Sequence, residues 1–285
     1  MSSATHFVNH NSRGFLNLEC ADKVYPFEGI DQFWRIWNTQ SNNTQEGYWV
    51  LFTNVNEDTF TRQFLNSEDK IIPRSWNSYD NTNQLLLVKM PITSAHERAS
   101  RCFDWKLVLA ANSMGVAEEL HNNGAATAIG DGGGKQPDSQ YLPSPLGRRK
   151  KWPPVVLEVA VSDTPTKLMS DIKWWLHQGD GAVEVVITIR ADHEEPKVTL
   201  EKWGRGSDGQ PQRYSSVTVY RHFDQTKIDN GPLVIEFDKL FGRAPDAPKE
   251  KDIILGDKEL MSIAEDIWDG QGFCDDDGDD DDDGD

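Results

Sequence analysis

Cysteine is scarce in this chain of 285 residues, which has only Cys20, Cys102 and Cys274. No two of them have the Cys-x-x-Cys spacing of a zinc or redox site, and an odd number of isolated thiols does not indicate a disulfide framework. The seven histidines are scattered too, so no His-based metal or nucleophile system stands out. The cysteine content predicts a reducing compartment.

Long apolar runs are also missing from the sequence. No window approaches the roughly 18 apolar residues that a membrane-spanning helix needs. The first six residues, Met-Ser-Ser-Ala-Thr-His, are polar and have no apolar segment of the secretory type. We therefore expect a soluble intracellular protein of the cytoplasm or nucleus that does not bind membranes.

Basic residues are outnumbered, with 29 Lys and Arg against 47 Asp and Glu, and the net charge is −18. Nine of the acidic residues are aspartates within residues 275–285, so residues 1–274 carry a net charge of −9. A charge run of this kind has no apolar surface to bury, which predicts a disordered acidic tail over residues 271–285. The acidic body argues against avid non-specific binding of nucleic acid.

The remaining sequence divides into three predicted regions. Residues 1–90 are rich in aromatics, Asn and Thr, which favours strands and loops in an N-terminal extension that could pack on the core. Residues 91–245 form the predicted core, although its glycine-rich stretch 122–135 reads as a flexible connection. Residues 246–270 contain an amphipathic pattern that predicts a C-terminal helix.

Helix and strand patterns alternate within the predicted core. Apolar residues recur at helical spacing from Ala95 to Met114, with Thr93 or Ser94 as the candidate N-cap and a break at Gly115. A strand at 155–161, a helix at 162–177 and a strand at 182–189 form a βαβ pattern, which favours parallel pairing. Further strands are predicted at 197–203, 215–220 and 233–237. The sequence thus predicts an α/β (α+β) fold.

One carboxylate, Glu158, lies in the middle of the apolar strand 155–161. Burial of an ionised carboxylate costs several kcal/mol or more unless it is paired, hydrogen-bonded or bound to a cation. Asp138 lies twenty residues upstream. Two carboxylates that meet near a strand end can bind Mg²⁺ or Mn²⁺, because hard divalent cations prefer oxygen ligands. A helix amide or an arginine is the alternative partner for Glu158, and Asp138 alone is equally typical of a turn.

A Pro-Asp pair followed by an apolar strand with Glu-x-Lys is the signature of the PD-(D/E)XK, or restriction-endonuclease-like, superfamily. This chain has Pro137-Asp138 and then Glu158-Val159-Ala160. The run from Lys135 to Leu176, together with His96-Glu97, resembles a group of largely uncharacterised fungal proteins placed in that superfamily. The resemblance covers about residues 85–205. It implies a restriction-endonuclease-like core in which helices flank a mixed central sheet.

The resemblance also implies functional residues. Asp138 and Glu158 would bind Mg²⁺ or Mn²⁺, and Glu97 on the first helix would complete the metal site. Ala160 stands where the superfamily has its catalytic lysine. Related sequences supply that lysine from the following helix, so Lys167 and Lys173 are the candidates, although Lys167 could instead pair with Asp171. Lys135 is a third, weaker candidate.

Two functions follow from this sequence. The first is a magnesium-dependent phosphodiesterase or nuclease, a hydrolase that acts on DNA or RNA. The second is a catalytically inactive binding module of the same fold, whose acidic tail contacts basic proteins. The tail could also act as an internal decoy in a basic substrate groove.

Overall fold

The computed structural model describes residues 14–41, 48–90, 93–144, 152–161, 165–223 and 225–273. They belong to two compact units: the first takes its residues from 1–44, 48–90 and 127–136, and the second from 45–47, 91–126 and 137–285. The predicted tail lies outside the described residues from Cys274 onward, as do Ser162 and Thr164 at the start of the predicted helix 162–177.

The first unit contains a six-stranded sheet in the order β1-β2-β4-β3-β7-β6. β1 and β2 are parallel, and the other neighbours are antiparallel. The strands are β1 (Lys23–Pro26), β2 (Tyr48–Thr53), β3 (Trp76–Asp80), β4 (Leu85–Met90), β6 (Ala128–Gly130) and β7 (Gly133–Lys135).

β6 and β7 form where the sequence predicted a flexible connection. Glycine allows their close packing, because a Cβ on Gly133 would lie 2.0 Å from the carbonyl oxygen of Tyr79.

The helices of the first unit surround an aromatic core. They are α1 (Ile30–Ser41), α2 (Glu57–Phe60), which continues into a π-helical turn (Thr61–Leu65), and α3 (Ile72–Ser75), with a 3-10 turn at Leu18–Cys20. The prediction of strands and loops for residues 1–90 was wrong at residues 30–41, which form the helix α1. Its aromatic residues are spaced for one helical face, so Phe33 and Trp37 stack with ring centroids 5.7 Å apart.

The second unit contains a seven-stranded sheet in the order β13-β12-β11-β10-β9-β8-β5. β9 and β10 are parallel, as the βαβ pattern predicted, and the other neighbours are antiparallel. The strands are β5 (Leu120–Asn122), β8 (Ser139–Pro143), β9 (Val155–Ala160), β10 (Val185–Ala191), β11 (Lys197–Arg205), β12 (Pro211–His222) and β13 (Gln225–Asp229). The sheet is therefore mixed.

Helices pack on both faces of this sheet. They are α4 (Ser94–Met114), α5 (Pro165–His177), α6 (Phe237–Phe241) and α7 (Asp257–Gln271), with 3-10 turns at Ala117–Glu119 and Gly179–Gly181. α4 and α7 share one apolar core with alternate residues of β9 and β10, whereas α5 contacts the opposite face. The prediction of a mixed α/β fold with helices flanking the sheet is confirmed.

The ends of two helices follow from local chemistry. Thr93 caps α4 by accepting a hydrogen bond from the His96 amide (3.3 Å), and Gly115 ends it with a φ of +81°. Within the region 246–270, where the sequence predicted a helix, α7 begins only at Asp257, because Ile253–Leu255 forms strand β15, which pairs with β14 (Leu233–Ile235). No helix among the described residues is both long and apolar enough to cross a membrane.

Candidate functional site

Asp138 immediately precedes β8 and completes the hydrogen bonding of β9 with its side chain. Its amide donates to the Leu157 carbonyl (3.1 Å), and its Oδ2 accepts from the Val159 amide (2.5 Å). These two bonds engage the β9 backbone on both sides of Glu158. Asp138, the residue before β8, and Glu158 of β9 are called here the carboxylate site, and they therefore lie beside each other in the backbone.

The second oxygen of Asp138 contacts the first helix of the unit. The Nε2 atom of the buried His96 lies 2.9 Å from Asp138 Oδ1. The contact lacks hydrogen-bond geometry, and neither ring nitrogen of His96 makes a hydrogen bond with a described residue. Glu97, the predicted third metal ligand, has a side chain that is 46% exposed and bonds Arg101 (3.0 Å). The contact to Asp138 thus comes from the residue before the predicted one.

Asp104 on α4 holds β8 in place. It accepts hydrogen bonds from the hydroxyls of Ser139 (3.0 Å) and Tyr141. Burial raises the pKa of Asp104 above its usual value, although these hydrogen bonds oppose the shift. Burial and the neighbouring Asp104 raise the pKa of Tyr141 well above its usual value, so the phenol remains a donor. Because Ser139 follows Asp138 directly, α4 fixes the start of β8 on which the carboxylate site depends.

Glu158 is 2% exposed and points to the face of the sheet that α5 covers. Strand alternation explains this direction, since Leu157 and Val159 point into the core shared with α4 and α7. The indole N–H of Trp175 donates to Glu158 Oε1 at 2.5 Å. A neutral donor thus provides one hydrogen bond to the buried carboxylate.

The two candidate lysines of α5 have different surroundings. Lys167 is 2% exposed, and its Nζ lies 2.5 Å from Oδ2 of Asp171, which is 1% exposed. Lys173 is exposed. Lys167, Asp171 and Trp175 are spaced four residues apart, so they share one helix face. Only Lys167 of the two therefore lies on the face that includes the Trp175 bond to Glu158.

The direction of α5 along β9 shows which end of its buried face lies toward Ala160. α5 connects two parallel strands, so it must run opposite to β9. Asp171 lies about 6 Å along the helix from Trp175, and Ala160 lies about 6.6 Å along the strand from Glu158. The antiparallel course therefore directs Asp171 and Lys167 toward the Ala160 end of β9. The small Ala160 side chain lies on the same strand face as Glu158, where a lysine would compete with the helix for space.

A buried hydroxyl also lies next to Glu158. Thr188 of β10 is the register partner of Glu158 and is fully buried. Its Oγ1 atom forms no hydrogen bond to any residue in the described ranges. An unsatisfied buried polar group normally costs about 1–3 kcal/mol. A polar ligand bound beside Glu158 could therefore form a hydrogen bond with the Thr188 hydroxyl.

The residues of the carboxylate site fit a hard divalent cation in their donor chemistry. Asp138 and Glu158 both supply carboxylate oxygens, which Mg²⁺ and Mn²⁺ prefer, and Mg²⁺ commonly uses one or two carboxylates plus water. Over the part of the chain that the structure describes, no group of three or more His, Cys, Asp or Glu side chains is arranged to hold a metal ion. A divalent cation at this site would therefore have two protein carboxylates, those of Asp138 and Glu158, as ligands.

Sequence reasoning did not find three of the neighbours of this site. His96 and Trp175 belong to the stretches that carry the resemblance, but nothing in the sequence assigned a contact at the carboxylate site to either of them or to Thr188. His96 adjoins the predicted Glu97, and Trp175 lies on the inward stripe of its helix, where a tryptophan is usually an apolar core residue. Thr188 had one signal, since it is a polar residue in the otherwise apolar run of β10.

Comparisons with known proteins show similarity at the level of structure only. No family model matches the chain, and no curated protein matches it significantly. Among solved structures, the chain is similar to a protein from Anabaena variabilis described as a "putative nuclease belonging to DUF820". The sequence identity is 14% and the TM-score is 0.38, over 67% of this chain and 92% of the other. The proposed function accordingly rests on the residues of the carboxylate site.

Proposed function

We propose that this chain is a divalent-metal-dependent phosphodiesterase of the PD-(D/E)XK type that cleaves DNA or RNA. Asp138 and Glu158 would bind Mg²⁺ or Mn²⁺, and Lys167 would supply the positive charge that Ala160 lacks. The observation that carries the proposal is that Asp138 bonds the β9 backbone on both sides of Glu158. These two bonds place the residues side by side in the backbone, and this adjacency supports the proposal that they share a cation.

The surroundings of α5 support Lys167 over Lys173 as the lysine of this reaction. Lys167 is buried on the face that contacts Glu158 through Trp175, whereas Lys173 is exposed. Its ammonium group would stabilise negative charge that develops on a phosphate oxygen, and Asp171 would hold the ammonium in place. A metal ion bound at the site would supply Lewis acidity and lower the pKa of a coordinated water.

Cleavage assays with matched variants test this proposal. The full chain is incubated with single- and double-stranded DNA and RNA in Mg²⁺ or Mn²⁺. Asp138→Asn and Glu158→Gln retain hydrogen-bonding oxygens for Val159 and Trp175 but remove the charge. We expect each to lower the rate by about 100-fold or more, as loss of a charge-stabilising group typically does. Cleavage that persists in both variants would refute the assignment.

A second pair of variants distinguishes the lysines. Lys167→Met should abolish cleavage, whereas Lys173→Met on the same helix should not change it. The opposite result would assign the role to Lys173. Because Lys167 is buried, the unfolding midpoint of its variant is measured in parallel to separate lost chemistry from lost structure.

A binding module without catalytic activity is the second candidate function. Two observations favour it: Ala160 replaces the motif lysine, and Lys167 is engaged in an ion pair with Asp171. In this case the acidic tail would contact basic proteins. The wild-type chain would then show no cleavage and no saturable Mn²⁺ binding, but it would retain a basic protein partner that deletion of residues 275–285 releases.

A further inference from the structure

The bond between Trp175 and Glu158 is unusual in its chemistry. Glu158 is almost fully buried, and one hydrogen bond to it comes from a fully buried indole N–H, which carries no formal charge. An indole satisfies part of the hydrogen-bonding capacity of Glu158 without changing its charge.

The bond also fixes the direction of the carboxylate. A glutamate side chain has three rotatable bonds, so a buried donor at a defined position restricts its orientation. An ionised carboxylate offers about four lone-pair sites, of which the indole N–H uses one. The oxygen that accepts from Trp175 is therefore held in place.

Trp175 is itself held by its neighbours. Its ring packs edge-on against Trp174 (centroids 4.8 Å apart) and Trp152 (6.3 Å). α5 also packs on β9 and β10, so the helix that carries the donor is anchored to the strand that carries the acceptor. This tryptophan cluster leaves little freedom for the indole to move away from Glu158.

We propose that Trp175 is a positioning residue of the carboxylate site. Its indole N–H orients Glu158 for a divalent cation and leaves the negative charge of the carboxylate intact. The consequence of this role for catalysis rests on the function proposed above, whereas the effect on cation binding does not. Partners outside the ligand shell that orient a metal-binding side chain typically change metal affinity by about 10- to 100-fold.

Trp174 provides a matched control. It is also a buried tryptophan of α5 and of the same cluster, but it lies one position away, so its side chain points about 100° around the helix from that of Trp175. The full-length Trp175→Phe and Trp174→Phe variants are titrated with Mn²⁺, and bound Mn²⁺ is measured by electron paramagnetic resonance. We expect Trp175→Phe to weaken binding by about 10-fold or more. Trp174→Phe keeps an aromatic ring against Trp175 and the indole bond to Glu158, so it should weaken Mn²⁺ binding much less than Trp175→Phe.

A measurement on the wild-type chain needs no substitution. In an NMR spectrum of the ¹⁵N-labelled full chain, the Trp175 indole N–H resonance is assigned from its absence in Trp175→Phe. Titration with Mg²⁺ should shift this resonance saturably and should move the Trp174 indole resonance much less. A residue that only fills space would not produce this difference. The Glu158→Gln variant should abolish the Mg²⁺-dependent shift.

Each outcome decides the inference. Equal loss of Mn²⁺ affinity in both variants would indicate a packing defect and overturn it. Unchanged affinity in Trp175→Phe, or a Trp175 resonance that does not respond to Mg²⁺, would also overturn it. Absence of saturable Mn²⁺ binding to the wild-type chain overturns both this inference and the proposed function. Binding that follows the expected pattern without nucleic-acid cleavage supports the positioning role and refutes only the nuclease.

Discussion

The buried ion pair of α5 allows a quantitative test of the structure. Lys167 and Asp171 are 2% and 1% exposed, and Nζ and Oδ2 are 2.5 Å apart. With an effective dielectric constant of about 20, their Coulomb attraction is about 7 kcal/mol. Desolvation costs several kcal/mol for each ion and offsets much of this attraction. The net contribution of the pair is therefore small, but each charge depends strongly on the other.

Single substitutions should consequently be costly and the double substitution should not. Lys167→Met leaves the Asp171 carboxylate buried without its ammonium partner, and Asp171→Asn leaves the ammonium without its carboxylate. We expect each to lower the free energy of unfolding by about 3–5 kcal/mol. The double variant removes both charges, so its cost should be no larger than that of either single variant.

Urea denaturation of the full chain, followed by tryptophan fluorescence and circular dichroism, measures these free energies. Lys173→Met is the matched control, because it removes an exposed lysine from the same helix and should change stability by no more than about 0.5 kcal/mol. Single-variant costs of about 1 kcal/mol or less would show that the pair is solvated. A double-variant cost equal to the sum of the single costs would show that the two charges are not coupled.

Two further predictions concern pH and helix capping. Hydrogen bonds from Arg243 lower the pKa of Glu250 to about 2. Because the folded-state pKa is depressed, this stabilisation is present above the unfolded value near 4.5 and is lost as pH falls toward 2. Melting temperatures between pH 2 and 6 should therefore fall less steeply in Glu250→Gln than in wild type, and parallel curves would contradict this. Thr93→Ala should cost about 1 kcal/mol in urea denaturation and Thr93→Ser much less, since serine also caps helices. Equal costs would argue against the capping bond.

Local sequence patterns predicted the elements that carry the carboxylate site. The helical repeat between Thr93 and Gly115 and the apolar run at 155–161 each match one regular structure, and both elements form there. α1 was missed because Asn and Thr, which favour turns, are frequent from Asn38 to Thr44, directly after its aromatic residues. The glycines of β7 looked flexible because their role depends on the distant β3 backbone.

The motif predicted that Asp138 and Glu158 belong together, but it could not predict their partners. A rotation of about 100° separates successive residues of a helix, and this rotation decides that His96 rather than Glu97 contacts Asp138. The Trp175 bond likewise depends on how α5 lies against β9. The rotation of each helix about its axis and its position on the sheet are set by the packing of the whole unit. A local sequence pattern therefore does not contain this information. Metal binding by Asp138, Glu158 and Glu97 stays a prediction.

The bond from the Val159 amide to Asp138 links the chemistry of the site to the sheet. Within a regular ladder, the amide of an inner strand is protected from hydrogen exchange by the backbone of its neighbour. At Val159 the acceptor is a side chain, because β8 begins only at Ser139. The protection of this one amide in β9 therefore depends on the charge and position of a single carboxylate. The backbone of the sheet thus contains its own reporter of events at Asp138.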